Sequence, residues 1–237
     1  MTDQAGDILE YLKALGDPKI SEHSQRFFKT GPGEYGEGDV FLGIRVPVIR
    51  KAVIRFKDID TAVVEELLQS ELHEVRLFAL LARVRLYQRG SEEAREHIYF
   101  RYLANAHRVN GWDLVDSSAM HIVGAWLFDR EKHALTALAH SPILWERRIG
   151  IIATFYDIRH ERFEQTLRLS EILVSDEHDL IHKAVGWMLR EVGKRDKAAE
   201  EGFLRRHYKT MPRTMLRYAI ERFPAAERKA YLAGTRW

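Results

Sequence analysis

A tryptophan and two carboxylates stand close together in Trp112-Asp113-Leu114-Val115-Asp116-Ser117-Ser118. The apolar run that follows, Ala119 to Phe128, reads as helix, with Asn110 and Gly111 before it as start signals. Asp113 lies three residues after Asn110, where an acid can serve first-turn amides and complement the helix dipole. Asp116 has no such structural task. It falls one turn past Trp112, so an indole and a carboxylate share a helix face. Taken alone, the stretch also fits a core tryptophan beside a solvated acid.

A second constellation lies in the helical stretch Asp179 to Lys194. Lys183, Trp187, Arg190 and Lys194 are spaced by four, three and four residues and form one stripe. Either the indole packs under lysine and arginine stems, or the stripe is a basic-aromatic strip for nucleic acid, with cations on phosphates and the ring on a base or sugar. Arg45, Arg50, Lys51, Arg55 and Lys57 form another basic cluster. It is a solvated face or a contact to a nucleic-acid backbone.

Two letter patterns carry little. Gly31, Gly33 and Gly36 match a dinucleotide fingerprint, but no strand precedes them and Glu34, Glu37 and Asp39 would repel a phosphate. His178 and His182 have metal-ligand spacing but lack the glutamate of a zinc protease and any acidic cluster to complete a site. No Ser-His-Asp elbow is present. The reading calls for no metal and no cofactor.

The elements that must position these residues are helices. With 46% hydrophobic and 30% charged residues, the 237-residue chain has the composition of an ordinary globular protein. Its net charge of +2 hides an asymmetry. Residues 1–118 carry 16 Lys+Arg against 19 Asp+Glu, and residues 119–237 carry 21 against 16. The basic surplus is compatible with a polyanion. The absence of cysteine excludes disulfide and thiolate chemistry and suits a reducing cytosol. The acidic N-terminus is no signal peptide, and no apolar run reaches the roughly 18 residues of a membrane span. A cytoplasmic monomer is expected.

Amphipathic patterning places helices at Asp7 to Leu15, Ile20 to Lys29, Pro47 to Lys57, Asp60 to Ser70, His73 to Gln88 and Ser91 to Ala106. After the Trp112 helix come Glu131 to His140, Pro142 to Ile158, Arg162 to Val174, Asp179 to Lys194, Ala198 to Lys209 and Arg213 to Arg222, then a short tail. The His73 helix is apolar nearly all round and so packs on more than one side. Polar or basic residues open the buried helices at a recurring interval. Arg76 to Trp112 and Trp112 to Arg148 are each 36 residues, Arg148 to Lys183 is 35 and Lys183 to Arg213 is 30. Such a period, built from helix pairs, predicts an all-α solenoid of HEAT-like repeats, read as a single domain over residues 1–237. The starts of its inner helices would line one concave groove. A carboxylate, two indoles and several arginines gathered there suit a cationic part of a larger polyanion.

With these residues in hand, the chain resembles the AlkD-type DNA alkylation repair glycosylases. The resemblance rests on Trp112-Asp-Leu-Val-Asp116-Ser, Trp145-Glu-Arg-Arg148, Lys183-Ala-Val-Gly-Trp187-Met-Leu-Arg190-Glu191 and Phe41-Leu-Gly-Ile-Arg45-Val-Pro47. It spans roughly residues 20 to 220 in order. It implies a HEAT-like solenoid that binds duplex DNA in its groove. It also implies hydrolysis of the N-glycosidic bond of positively charged N3-alkyladenine and N7-alkylguanine, without the usual base flipping. By position, Asp116 would place water and stabilise the sugar oxocarbenium. Trp112 and Trp187 would pack against the deoxyribose. Arg148 and Arg190 would hold phosphates, with Lys183, Lys194, Arg45 and Phe27 also on the DNA. Phe27 stands where the pattern has a tyrosine, so any contact through that hydroxyl is lost and only the aromatic one is kept. A cationic purine is neutralised as it leaves, so one carboxylate can suffice where glycoside hydrolysis ordinarily uses two. A non-catalytic binder of damaged or branched DNA, and a HEAT scaffold for proteins, are the alternatives.

Overall fold

The computed structural model describes residues 2–237. Among the described residues the regular elements are helices, and extended backbone pairs at an isolated bridge between Val40 and Leu72. The fold is all-α. No helix of the described residues is long and apolar enough to cross a membrane. The chain forms two compact units, Met1–Ser118 and Ala119–Trp237.

In the N-terminal unit the helices Asp3–Ala14, Pro18–Phe27, Val46–Arg55, Thr61–Leu68 and Glu92–Ala104 accompany a central helix, His73–Arg89. Local chemistry sets several starts. Thr2 caps the first through Ala5 N–H, and Asp17 caps the second with Pro18 in its first turn. The central helix is buried on nearly every side, with Val75, Phe78 and Leu80 fully enclosed. Each such side chain contributes about 1.5–3 kcal/mol. The same packing also buries Glu74, Arg76 and Arg83, and each has a partner. Arg83 pairs with Glu65 at 2.6 Å and Arg76 with Asp39 at 2.6 Å. Glu74 accepts hydrogen bonds from the amides of Leu42, Gly43 and Ile44 at 2.8, 2.8 and 3.1 Å.

The C-terminal unit is built around Asp179–Gly193. Leu144–Ala153, Lys197–His207 and Arg213–Ala219 pack on it. Gly186 permits the close approach of Arg213–Ala219, because a Cβ there would lie 2.5 Å from the Met215 carbonyl oxygen. Three expectations change. The stretch Pro142 to Ile158 is two helices, Leu144–Ala153 and Phe155–Arg159, with the Thr154 hydroxyl bonded to Ile151 O between them. The tail is a further helix, Ala225–Ala233, closed by Gly234 at φ 74° and anchored by buried Tyr231. The residue that matches Arg76 in its local contacts is also not the one expected. Arg76 donates to Ser70 O and Glu71 O, six and five residues back, and pairs with Asp39. Arg147, not Arg148, repeats this, donating to Ser141 O and Pro142 O and pairing with Asp176.

Candidate active site and nucleic-acid interface

The helix Trp112–Ala119 buries Leu114, Val115 and Ser118 and leaves Trp112 and Asp116 partly exposed. Four-residue spacing puts the last two on one face. Ser118 is locked from behind, donating to Leu114 O at 2.6 Å and sharing a 2.8 Å hydrogen bond with the Tyr102 hydroxyl. Burial pushes that phenol up, and the Asp116 carboxylate acts in the same direction. Tyr102 is therefore a neutral prop against the buried side of the helix.

Trp112 sits in an aromatic cluster that sequence reasoning missed. Phe28 stacks on it at 5.1 Å between centroids and 11° between planes. Phe27, 58% exposed, meets it edge-on at 6.0 Å. Phe28 also stacks on Phe41 at 4.9 Å, and Phe41 on His73 at 4.4 Å. Phe27, expected on the DNA, thus stands exposed beside Trp112. Consecutive Arg26-Phe27-Phe28-Lys29 at a helix end was the available signal.

Gly111 O accepts the first helical bond, from Val115 N–H at 3.0 Å, but neither Asn110 nor Asp113 acts as expected. The side-chain oxygen of Asn110 is buried without a hydrogen-bond partner, so it caps nothing. Asp113 does not serve first-turn amides. One of its oxygens meets His73 Nε2 at 2.8 Å and the other is buried without a partner. His73 Nδ1 meets Asp39 at 2.7 Å, and Asp39 is in turn held by Arg76. Burial alone lowers the imidazole, but Asp113 and Asp39 outweigh it and raise its pKa to about 9. A cationic ring donating from both nitrogens is the form that satisfies both acids. Asp39 is held below its usual range despite burial, by His73 and Arg76. Asp113 is consumed here, through a partner 40 residues away that no local pattern announces.

Arg45 is exposed at the end of a loop fixed from below. Glu74 gathers the three amides before it, and Gly43 takes φ 83° where a Cβ would lie 2.1 Å from Asp17 O. The glycine-rich loop behind it offers nothing to a phosphate. Gly31 N–H and Gly33 N–H already donate to Glu34 and Glu37.

In the C-terminal unit Trp187 is partly exposed, edge-on to Phe155 at 5.7 Å. Its Nε1 donates to Glu191 at 3.3 Å. The cationic stripe is neutralised more than its spacing suggests. Lys194 pairs with Glu191 at 2.8 Å, Arg190 with Glu191 and Glu221, and Lys183 with Asp179 at 2.7 Å. Burial would raise Glu191, yet Lys194, Arg190 and Trp187 hold it below its usual range. Arg148 corrects an expectation outright. It is 5% exposed and donates to Leu180 O at 2.5 Å, because its helix packs that face on Asp179–Gly193. It is a buried strut and not an open surface cation. His178 and His182 have other uses. His178 caps its helix by accepting from Leu180 N–H, and His182 bonds to Asp176 O. Among the described residues no group of three or more His, Asp and Glu is placed to hold a metal.

A family model described as "DNA alkylation repair enzyme" matches residues 8–223. The chain belongs to that family. Membership carries a role in DNA repair and DNA as partner. A solved structure from Enterococcus faecalis, described as a predicted DNA alkylation repair enzyme, superposes with a TM-score of 0.67. At 16% identity it covers 89% of this chain and 97% of its own, and so bears on the fold alone. No curated protein matches. In this chain Trp112 and Asp116 set a partly exposed indole and carboxylate on one helix face.

Proposed function

We propose that the protein is a DNA glycosylase that hydrolyses the N-glycosidic bond of cationic alkylpurines, N3-alkyladenine and N7-alkylguanine, in duplex DNA. The observation that carries this reading is the Trp112 and Asp116 face in a member of a DNA alkylation repair family. As the C1′–N bond breaks, its electron pair leaves with the purine and neutralises it. Positive charge moves to the sugar. A carboxylate at Asp116 stabilises that oxocarbenium, orients the water that adds to C1′ and takes the proton that water loses as the C1′ hydroxyl forms. An indole face at Trp112 favours the same cation by about 0.5–2 kcal/mol and sheds bulk water.

The Phe28 stack supports this assignment by fixing the indole plane before substrate arrives, so less ordering is left to binding. Exposed Phe27 extends the apolar surface toward the nucleic acid. Exposed Arg45 acts on phosphates in this reading, and so do Lys183, Arg190 and Lys194, the last three exchanging their carboxylate partners for phosphate oxygens. Trp187 offers the C-terminal unit's own aromatic surface to the nucleic acid. The leaving purine needs no protonated acid, so no second catalytic carboxylate is assigned.

The test is incubation of the full chain with duplex containing N7-methylguanine, followed by chromatography for free base. Release of N7-methylguanine from that duplex, with none of the normal bases freed, is the expected result. Tight binding without release would make the protein a non-catalytic binder. Neither binding nor release would favour a protein scaffold.

A further inference from the structure

The C-terminal unit holds a further built feature, which shares Arg190 and Lys194 with the cationic stripe. A cleft of about 320 Å³ opens where Asp179–Gly193, Lys197–His207 and the turn Ile220–Arg222 meet. Arg190, Lys194, Lys197 and Arg222 line it together with Phe223 and Pro224. Glu200 also lines it, at 1% exposure, and its Oε1 has no hydrogen-bond partner. Gly193 makes room for this acid, since a Cβ there would fall 1.6 Å from Glu200 Oε2. Arg190 Nε, at the same cleft, is likewise buried without a partner. A carboxyl seated among four cations without forming an ion pair to any of them is an unusual use of a buried acid.

We propose that this cleft is a phosphate-binding site in which Glu200 serves as a neutral hydrogen-bond donor beneath the four cations. Burial and the neighbouring Glu201 hold the Glu200 carboxyl protonated, raising its pKa to about 9 against the pull of Lys197 and Arg190. A protonated acid offers an O–H and no repelling charge. The cations can exchange partners. Lys197 is 45% exposed in its pair with Glu227, and such a half-open pair is weak. Arg222 is exposed beside it. A phosphate group accepts from guanidinium, ammonium and hydroxyl donors together.

That the phosphate belongs to a nucleic-acid backbone rests on the DNA-binding part of the reading above. A free pyrophosphate presents the same chemistry. The two sources separate in two titrations of the full chain, with undamaged duplex across a salt series and with inorganic pyrophosphate by calorimetry. Neither needs excision, so a failed glycosylase assay leaves this test standing.

For a backbone phosphate, Arg222→Ala lowers the slope of log affinity against log salt by about 0.9. For a free phosphate, the duplex slope is unchanged and pyrophosphate binding is lost in Arg222→Ala. A pH series then tests Glu200. The charged groups that line the cleft with it are Arg190, Lys194, Lys197 and Arg222, and the neighbouring Glu201 and the neutral Tyr231 phenol also act on it. Wild-type affinity for the phosphate ligand falls as pH rises through about 9, whereas Glu200→Gln, permanently neutral, retains the neutral-pH affinity and loses less over that interval. If Arg222→Ala changes neither titration, or if wild type and Glu200→Gln share one pH profile while both stay folded, the proposal is wrong.

Discussion

At the scale of single residues, two acids three positions apart have taken different parts. Asp113 faces inward to His73, and Asp116 lies on the partly exposed face with Trp112. The His73 pair carries a prediction for stability. Its folded pKa of about 9 lies above the ordinary 6.5. The stabilisation is therefore complete below about 6.5 and is lost as pH rises through about 9, amounting to about 3 kcal/mol. Thermal melting of the wild type should fall across that window beyond the general trend, and His73→Gln should lack that added fall. Asp113→Asn leaves the ring one charge short. It should cost about 1–2 kcal/mol and shift the midpoint of that loss to lower pH. A pH-independent melting difference between wild type and His73→Gln would refute the charged-imidazole assignment.

At the scale of elements, packing decides which cations are available. Arg148 lies in the contact with Asp179–Gly193 and donates to Leu180 O. Arg148→Ala is expected to lower stability by about 2–4 kcal/mol in a urea titration, through a lost buried hydrogen bond and an orphaned carbonyl. The salt slope of DNA binding should stay as it was, and a smaller slope with unchanged stability would return Arg148 to the DNA surface. Gly43→Ala probes the loop that presents Arg45. Positive φ and a clash with Asp17 O should cost at least about 1–3 kcal/mol, read from the same titration.

Much of this layer is legible in the sequence. Helix positions follow from 3.6-residue patterning, and the isotropic apolarity of His73–Arg89 announces its central place. What escapes is tertiary. The His73 link to Asp39 and Asp113 and the Phe28 stack on Trp112 join residues far apart in sequence. Arg147 and Arg148 are adjacent and chemically identical, so only the packing of their helix tells the clamp from the buried strut. The last helix, Ala225–Ala233, was hidden by its shortness and by Pro224, which reads as a break but opens the helix instead.

At the scale of the whole molecule, the basic surplus lies in residues 119–237, and much of its charge is tied to carboxylates. Duplex binding should nevertheless be electrostatic, with log affinity falling by about 0.9 per phosphate neutralised as log salt rises. The paired cations make its onset dependent on exchange of weak surface pairs, so lysine-to-alanine changes should each reduce the slope without unfolding the chain. Salt-independent binding would point to a protein partner instead. The central claim concerns one carboxylate, and its most direct test is single-turnover release of N7-methylguanine from duplex DNA by Asp116→Asn beside wild type. The amide keeps the shape and removes the charge. The account predicts release slowed roughly 10²–10³-fold, equivalent to about 3–4 kcal/mol of transition-state stabilisation, with melting temperature and duplex affinity nearly unchanged. Release at the wild-type rate by folded Asp116→Asn would contradict it.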